Sequence, residues 1–289
     1  IKESRNMPIT INSNTASLVS QRHLTNSTNL LTKTYERLST GLRINRAGDD
    51  AAGLSISEAL QGQISGYSMA ERNCQDGLNA INIAADSLGG ISDHIQRIRE
   101  LCVQAANGVY SSSERSMILT EIFERLEDIN QQAKITKFND TPLLTGETEH
   151  LILQIGANSE LSTNTIDLGR ALPTVNATVL GIALDKNTVS GGNWTPDVIR
   201  NYLDTLDEAL TKLTTAGAQI GAMQNRLEAN LQNLDVMTQN ITEANSRIID
   251  TDIAEETANM TTQQVRQQAA ASVLAQVNQL PAIALTLLQ

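Results

Sequence analysis

The sequence predicts a mainly α protein. Long antiparallel helices with heptad patterning form a rod domain, which carries a small β-rich insert, and the chain ends pair as a two-helix coiled coil. Three observations predict it. Apolar residues recur every seventh position over residues 60–105 and again over 199–248. Aromatic residues make up only 2% of the chain, which suits helices packed side by side better than a thick spherical core. The stretch Gln267–Gln289 contains no charged residue at all.

The first predicted helix carries the stripe Leu24, Thr28, Leu31, Tyr35, Leu38 and Leu42, at alternating spacings of four and three. The next carries Leu60, Tyr67, Cys74, Ile81, Leu88, Ile95 and Cys102, followed at the d positions by Ala70, Gly77, Ala84, Ile91, Ile98 and Ala105. The linker Asn107–Ser113 interrupts it, and Ser113 with Glu114 suits a helix start. A third, shorter seam runs Leu119, Ile122, Leu126, Ile129 and Ala133, and the short break lets it fold back antiparallel.

Between about 138 and 195 the period changes. Leu151–Ile155 and Thr178–Leu184 read as strands, punctuated by Gly146, Gly156, Gly169, Pro173 and Gly191-Gly192. The second long seam places Ile199, Leu206, Leu213, Ile220, Leu227, Leu234, Ile241 and Ile248 at a positions. Tyr202, Ala209, Ala216, Met223, Asn230, Met237 and Ala244 fill its d positions. At about 1.5 Å per residue this helix is ~75 Å long. Asn230 is polar within the seam, a feature that lowers stability and can fix register.

The charge-free end carries Val273, Leu274, Val277, Leu280, Ile283, Leu287 and Leu288 around the helix. A helix that is apolar on all sides must be buried. With the core assigned elsewhere, this end can cover itself only against the stripe of Leu24, Leu31 and Leu38 and against other copies of the chain. An intramolecular bundle alone is the plainer alternative.

Composition narrows the function class. The net charge of −11 and the lack of a basic face argue against a nucleic-acid partner. No apolar run of about 20 residues could cross a membrane, and residues 1–30 lack the apolar core of a cleaved secretory signal. His23, His94 and His150 are scattered without metal-ligand spacing, so neither a metal nor another cofactor nor an enzyme is expected. Cys74 and Cys102 lie four heptads apart on one helix, ~42 Å along its axis, far beyond disulfide reach. Both are expected in the core.

Several longer segments carry a resemblance. Leu38–Leu54 (LSTGLRINRAGDDAAGL) resembles the N-terminal signature of the bacterial flagellins. Gln96–Asn107 is similar to the motif on their first long rod helix, and Phe138-Asn139 with Leu143-Leu144 to the start of their β region. Ser246–Glu256 and Val273–Pro281 resemble the C-terminal signature. The likeness covers about 9–146 and 196–288, in the family's order. Ile1–Asn6 precede Met7-Pro8-Ile9 and have no counterpart in it.

The resemblance implies a filament-forming, extracellular motility protein. Segments 7–47 and 250–289 become the terminal coiled-coil domain, and 48–249 the rod domain. Polymerisation through the ends involves Leu24, Leu31, Leu38, Val273, Leu274, Val277, Leu280, Ile283, Leu287 and Leu288. Arg43, Asn45, Asp49 and Asp50 form a polar hinge. Arg97, Leu101 and Glu121 match the epitope read by the vertebrate Toll-like receptor for flagellin. The partners implied are further copies of the chain, the flagellar type III export apparatus and its chaperone, and the filament cap and hook-junction proteins. A hook–filament junction protein shares both ends and stays open as an alternative. A cytosolic coiled-coil adaptor is a third reading, although it has no need of a charge-free terminus.

Overall fold

A computed structural model describes residues 13–146, 151–185 and 194–286, with side chains in the last helix described through 279. Among the described residues, seven helices and four short strands follow one another. They are α1 (Thr15–Thr40), α2 (Ala51–Ala105), α3 (Ser112–Ile135), β1 (Lys137–Phe138), β2 (Thr141–Pro142), β3 (Ile152–Gln154), α4 (Leu161–Asn164), β4 (Thr165–Asp167), α5 (Ala177–Leu180), α6 (Pro196–Ile249) and α7 (Ile253–Thr286). The chain divides into two compact units: Ile1–Gly62 with Ile241–Gln289, and Gln63–Asn240. The divisions fall inside the long helices α2 and α6.

The second unit holds the apolar core. The α2 seam is buried from Ala70 through Ala105, and Leu119, Ile122, Leu126, Ile129 and Ala133 of α3 are all buried with it. Both cysteines lie in this core, unpaired and buried, and burial pushes the Cys102 thiol up to about 12. Polar contacts report antiparallel packing. Arg97 reaches Glu121 and Thr136 donates to Ser87 between α2 and α3. Between α2 and α6, Arg99 grips Asp207 with two nitrogens at 2.7 and 3.3 Å, and Gln224 donates to Asn82 at 2.7 Å.

The α6 seam follows the heptads through Leu234 and then slides. Met237, at a d position, is exposed, whereas Asn245, one place past the next d position, is buried. Seven residues of a straight α-helix fall about 20° short of two full turns. The inward line therefore passes to the following residue in the last heptads. At Asn230 the carboxamide donates to the Cys74 thiol at 3.5 Å, so the polar seam residue has a partner.

Two local expectations shift. Helix α3 starts at Ser112, two residues earlier in its cap than Ser113 would give. Ser111 is the N-cap: its hydroxyl accepts from Glu114 N, and the Glu114 carboxylate accepts from Ser111 N. The reciprocal box needs the acid three residues after the cap, which selects Ser111. The stretch Thr178–Leu184 is no strand. The Asn176 side chain caps α5 by accepting from Val179 N at 2.7 Å, and Gly181 closes it at φ 84°. Capping residues at both ends turn a β-branched run into one helical turn.

The β elements are small. β1 and β2 pair antiparallel across Asn139 and Asp140, both with positive φ, the mirror-type turn these residues favour. β3 pairs antiparallel with β4. This second hairpin rests on α2 because Gly77 leaves room: a Cβ there would stand 2.1 Å from Leu153 Cδ1. Residues 147–150 and 186–193, including the Gly191-Gly192 punctuation and His150, lie outside the described residues.

Candidate functional site

The first unit is built around the antiparallel pair of α1 and α7. Asn14 caps α1 by accepting from Ser17 N, and Gly41 ends it in the left-handed conformation at φ 73°. The faces turned toward the partner are Ser17, Ser20, Leu24, Ser27, Leu31, Thr34 and Leu38 on α1, and Glu256, Met260, Gln263, Gln267, Ala270, Leu274 and Val277 on α7. Both sets follow spacings of three and four. Leu24, Leu31 and Leu38 turn inward, as do Leu274 and Val277. Thr28 and Tyr35 do not: Ser27 and Thr34 occupy the alternate inward positions, and Thr28 and Tyr35 sit at the edge. There they accept from Gln267 and Gln264, each at 2.9 Å.

The seam is half polar. Asn14 donates to Val277 O at 3.2 Å, Ser17 donates to Asn278 at 2.7 Å, and Arg37 meets the buried Glu256 at 3.7 Å. Many other hydroxyls bond back along their own helix, for example Thr25 to Gln21 O and Thr261 to Thr257 O. That habit satisfies the hydroxyl and presents the methyl outward. Val273 faces away from the seam, exposed. Leu280 and Ile283 have no described side chains, and Leu287 and Leu288 lie outside the described residues.

The bend after α1 lies wholly within this unit. Arg43 N donates to Ile249 O at 2.6 Å, Thr251 N donates to Gly41 O at 2.9 Å, and Leu42 bridges Asp250. The Arg43 guanidinium donates to Ile248 O, placing a cation on the last carbonyls of α6. Asn45 donates to Leu42 O at 2.9 Å. Asp50 caps α2, its carboxylate accepting from Ala52 N and Gly53 N at 3.1 and 3.0 Å. A Cβ on Gly53 would come 2.5 Å from the Asp50 carboxylate and 2.8 Å from the buried Ile44. Asp49 accepts from Lys33 at 2.9 Å, which holds its carboxyl below the usual range, and Arg46 pairs with Glu36 at 2.8 Å. These residues make a tied polar corner.

The remaining candidates lie in the second unit. Arg97 is half-exposed between Glu100 at 2.9 Å and Glu121 at 3.4 Å, and hydrogen bonding to Glu100 raises its pKa. Leu101 corrects its expected place beside the seam: it is 2% exposed and belongs to the core, so it offers no contact surface on the subunit. Among the described residues no three His, Cys, Asp or Glu side chains gather as metal ligands, and no helix is long and apolar enough to cross a membrane.

Hydrophobicity alone missed Glu256, Gln263 and Gln267, which fill inward heptad positions with polar groups. It also passed over Asp252, whose carboxylate accepts from Ala254 N and Glu255 N at the start of α7. The signal was legible there as an Asp followed three residues later by Glu.

Comparison with known proteins adds a family to this geometry. The bacterial flagellin N-terminal helical region matches residues 11–149, and the bacterial flagellin C-terminal helical region matches 203–288. The chain is 37% identical to the flagellar filament 33 kDa core protein of Treponema phagedenis and 36% identical to a flagellin of Halalkalibacterium halodurans. It is 37% identical to the flagellin of Bacillus subtilis. Each match covers 96% of this chain and 99% of the relative. Two family regions in order, and relatives matched over nearly their whole length, place the chain in the bacterial flagellin family, whose members are structural proteins and not enzymes.

Proposed function

We propose that this chain is a structural subunit that assembles with further copies of itself into the extracellular flagellar filament, and that segments 7–47 and 250–289 are its polymerising domain. One observation carries the reading. The α1–α7 pair closes a half-polar seam and leaves further apolar side chains uncovered on its outer faces. Leu18, Leu30 and Tyr35 on α1 and Ile253, Val265 and Val273 on α7 are between 47% and 64% exposed. Covering such surface contributes roughly 25 cal/mol per Å². Neighbouring copies supply that cover, and Leu280, Ile283, Leu287 and Leu288 are further polymerisation residues in this reading.

The rod domain is 48–249, and Arg43, Asn45, Asp49 and Asp50 serve as the polar hinge. The chain leaves the cell unfolded through the flagellar type III apparatus, escorted by its chaperone, and meets the cap and hook-junction proteins at the filament ends. Arg97, exposed on the subunit, and Glu121, partly exposed beside it, are the contacts a Toll-like receptor would use. Loss of response to monomer in a receptor reporter assay when both are replaced by Ala is the expected result.

The deciding experiment removes Gln267–Gln289. Under salting-out conditions the full chain should give long helical filaments by electron microscopy. The truncated chain should keep a folded second unit and give none. Filaments from the truncated chain would overturn the proposal.

A further inference from the structure

The loop between α2 and α3 holds the chain's single Asn-Gly step, Asn107-Gly108. Both residues are exposed. Gly108 has no side chain to shield its amide nitrogen, and a Cβ there would meet nothing within 4 Å. The Asn107 carboxamide oxygen accepts from Val109 N at 3.2 Å. That hydrogen bond folds the carboxamide over the Gly108 peptide. It also sets a donor on the oxygen that gains negative charge when the carboxamide carbon is attacked, the stabilisation an oxyanion hole provides.

We propose that Asn107 is a modification site at which the chain deamidates itself through a cyclic imide. Hydroxide takes the proton from Gly108 N, and the freed electron pair forms a bond to Asn107 Cγ. The tetrahedral oxyanion collapses, the bond to the carboxamide nitrogen breaks, and ammonia leaves with a proton from water. One water then opens the five-membered imide. Cleavage between Gly108 N and Cγ leaves aspartate. Cleavage between Gly108 N and the main-chain carbonyl carbon leaves isoaspartate. The net change consumes water and releases ammonia, and nothing is oxidised or reduced.

The product alters the α2–α3 connection. Ala106 N still bonds Cys102 O, and Asn107 N bonds Gln104 O, so the new carboxylate sits at the negative end of α2, where it is disfavoured. Isoaspartate adds a methylene to the backbone and removes the turn that Val109 N closes. The Ser111 cap of α3 and the Arg115 bond to Tyr110 O lie just beyond it. Each converted subunit gains one negative charge and a loosened loop.

The test incubates the full chain in heavy-oxygen water at neutral and at mildly alkaline pH and maps the tryptic peptide Glu100–Arg115 by mass spectrometry. The expected result is heavy-oxygen incorporation at position 107, with both aspartate and isoaspartate, rising in proportion to hydroxide. Asn73 and Asn82 within α2 should stay intact. Gly108→Ala should slow the conversion several-fold, and Asn107→Gln should abolish the signal. The folded chain should convert at least as fast as the free synthetic peptide, because the Val109 donor is pre-placed. A folded chain that converts more slowly than the peptide, or no faster at 107 than at Asn73, overturns the proposal.

Discussion

The two units bury different things. Among the described residues, Leu31 and Ile44 are the buried apolar side chains of the first unit, beside the polar Thr34, Ser57, Asn245 and Glu256. The second buries a continuous apolar cluster from Ala70 to Leu234, with Ser87 and Thr136 as its polar members. A unit with a filled core is stable by itself. One whose seam is half polar, with Leu18, Leu30, Val265 and Val273 exposed, gains stability from what it packs against. The contrast is the one the proposed assembly role of the first unit requires.

Core deletions should show the contrast most strongly. Ile91→Ala removes a fully buried side chain from the second unit, and should cost about 2–5 kcal/mol in urea unfolding. Leu31→Ala in the first unit should leave the main unfolding transition in place and instead weaken polymerisation. Equal losses from the two changes would break the comparison.

The next largest effect lies at Arg37 and Glu256. Glu256 is buried and Arg37 only partly exposed, so Glu256→Ala leaves a half-buried cation without its partner. A loss of about 1–3 kcal/mol in α1–α7 pairing follows, read as faster hydrogen exchange confined to both helices. Arg37→Glu with Glu256→Arg should restore protection if the pair helps set the register of the seam. Smaller still, Ser111→Ala removes the α3 cap and should cost about 1 kcal/mol in the second unit alone.

The same contrast explains what was legible in the sequence. The second unit announces itself because its seams are apolar: Ile81, Leu88, Ile95 and Ile98 need no structure to be read as core. Helix α1 was read in part, because Leu24, Leu31 and Leu38 mark its face while Ser20, Ser27 and Thr34 complete it silently. Glu256 was invisible to any screen for hydrophobic periodicity. The slide of the α6 seam past Leu234 follows from helix geometry and accumulates over distance, so a strict seven-residue count hides it. The α5 turn was misread because the β-branched Thr178 and Val179 outweighed the Asn176 and Gly181 that bracket them. Leu101 was misplaced because one helix's seam was considered alone, whereas α2 is buried by neighbours on more than one side.

The smallest effect is the response to acid, because Glu114 and Asp207 are exposed and Asp49 is only partly covered. Asp49, Glu114 and Asp207 all have carboxyls held below their ordinary values. The causes are the hydrogen bond from Lys33, the backbone of Ser111 and the hydrogen bond from Arg99 respectively. Depressed values mean that the unfolded chain takes up protons first as pH falls. The stabilisation is complete above the ordinary values of 3.8 for Asp and 4.5 for Glu, and is lost as the pH drops through the lower folded-state values. Solvent screening keeps each contribution small, and salt weakens it further. The second unit, resting on apolar burial that does not titrate, should lose little between about pH 6 and about pH 3. The first has a thinner core, and its corner depends on Asp49, so its hydrogen exchange should quicken over the same range. Asp49→Asn should remove part of that dependence and leave the second unit unchanged. Acid lability that appears first in α3 and the middle of α6 would reverse the assignment of which unit stands by itself.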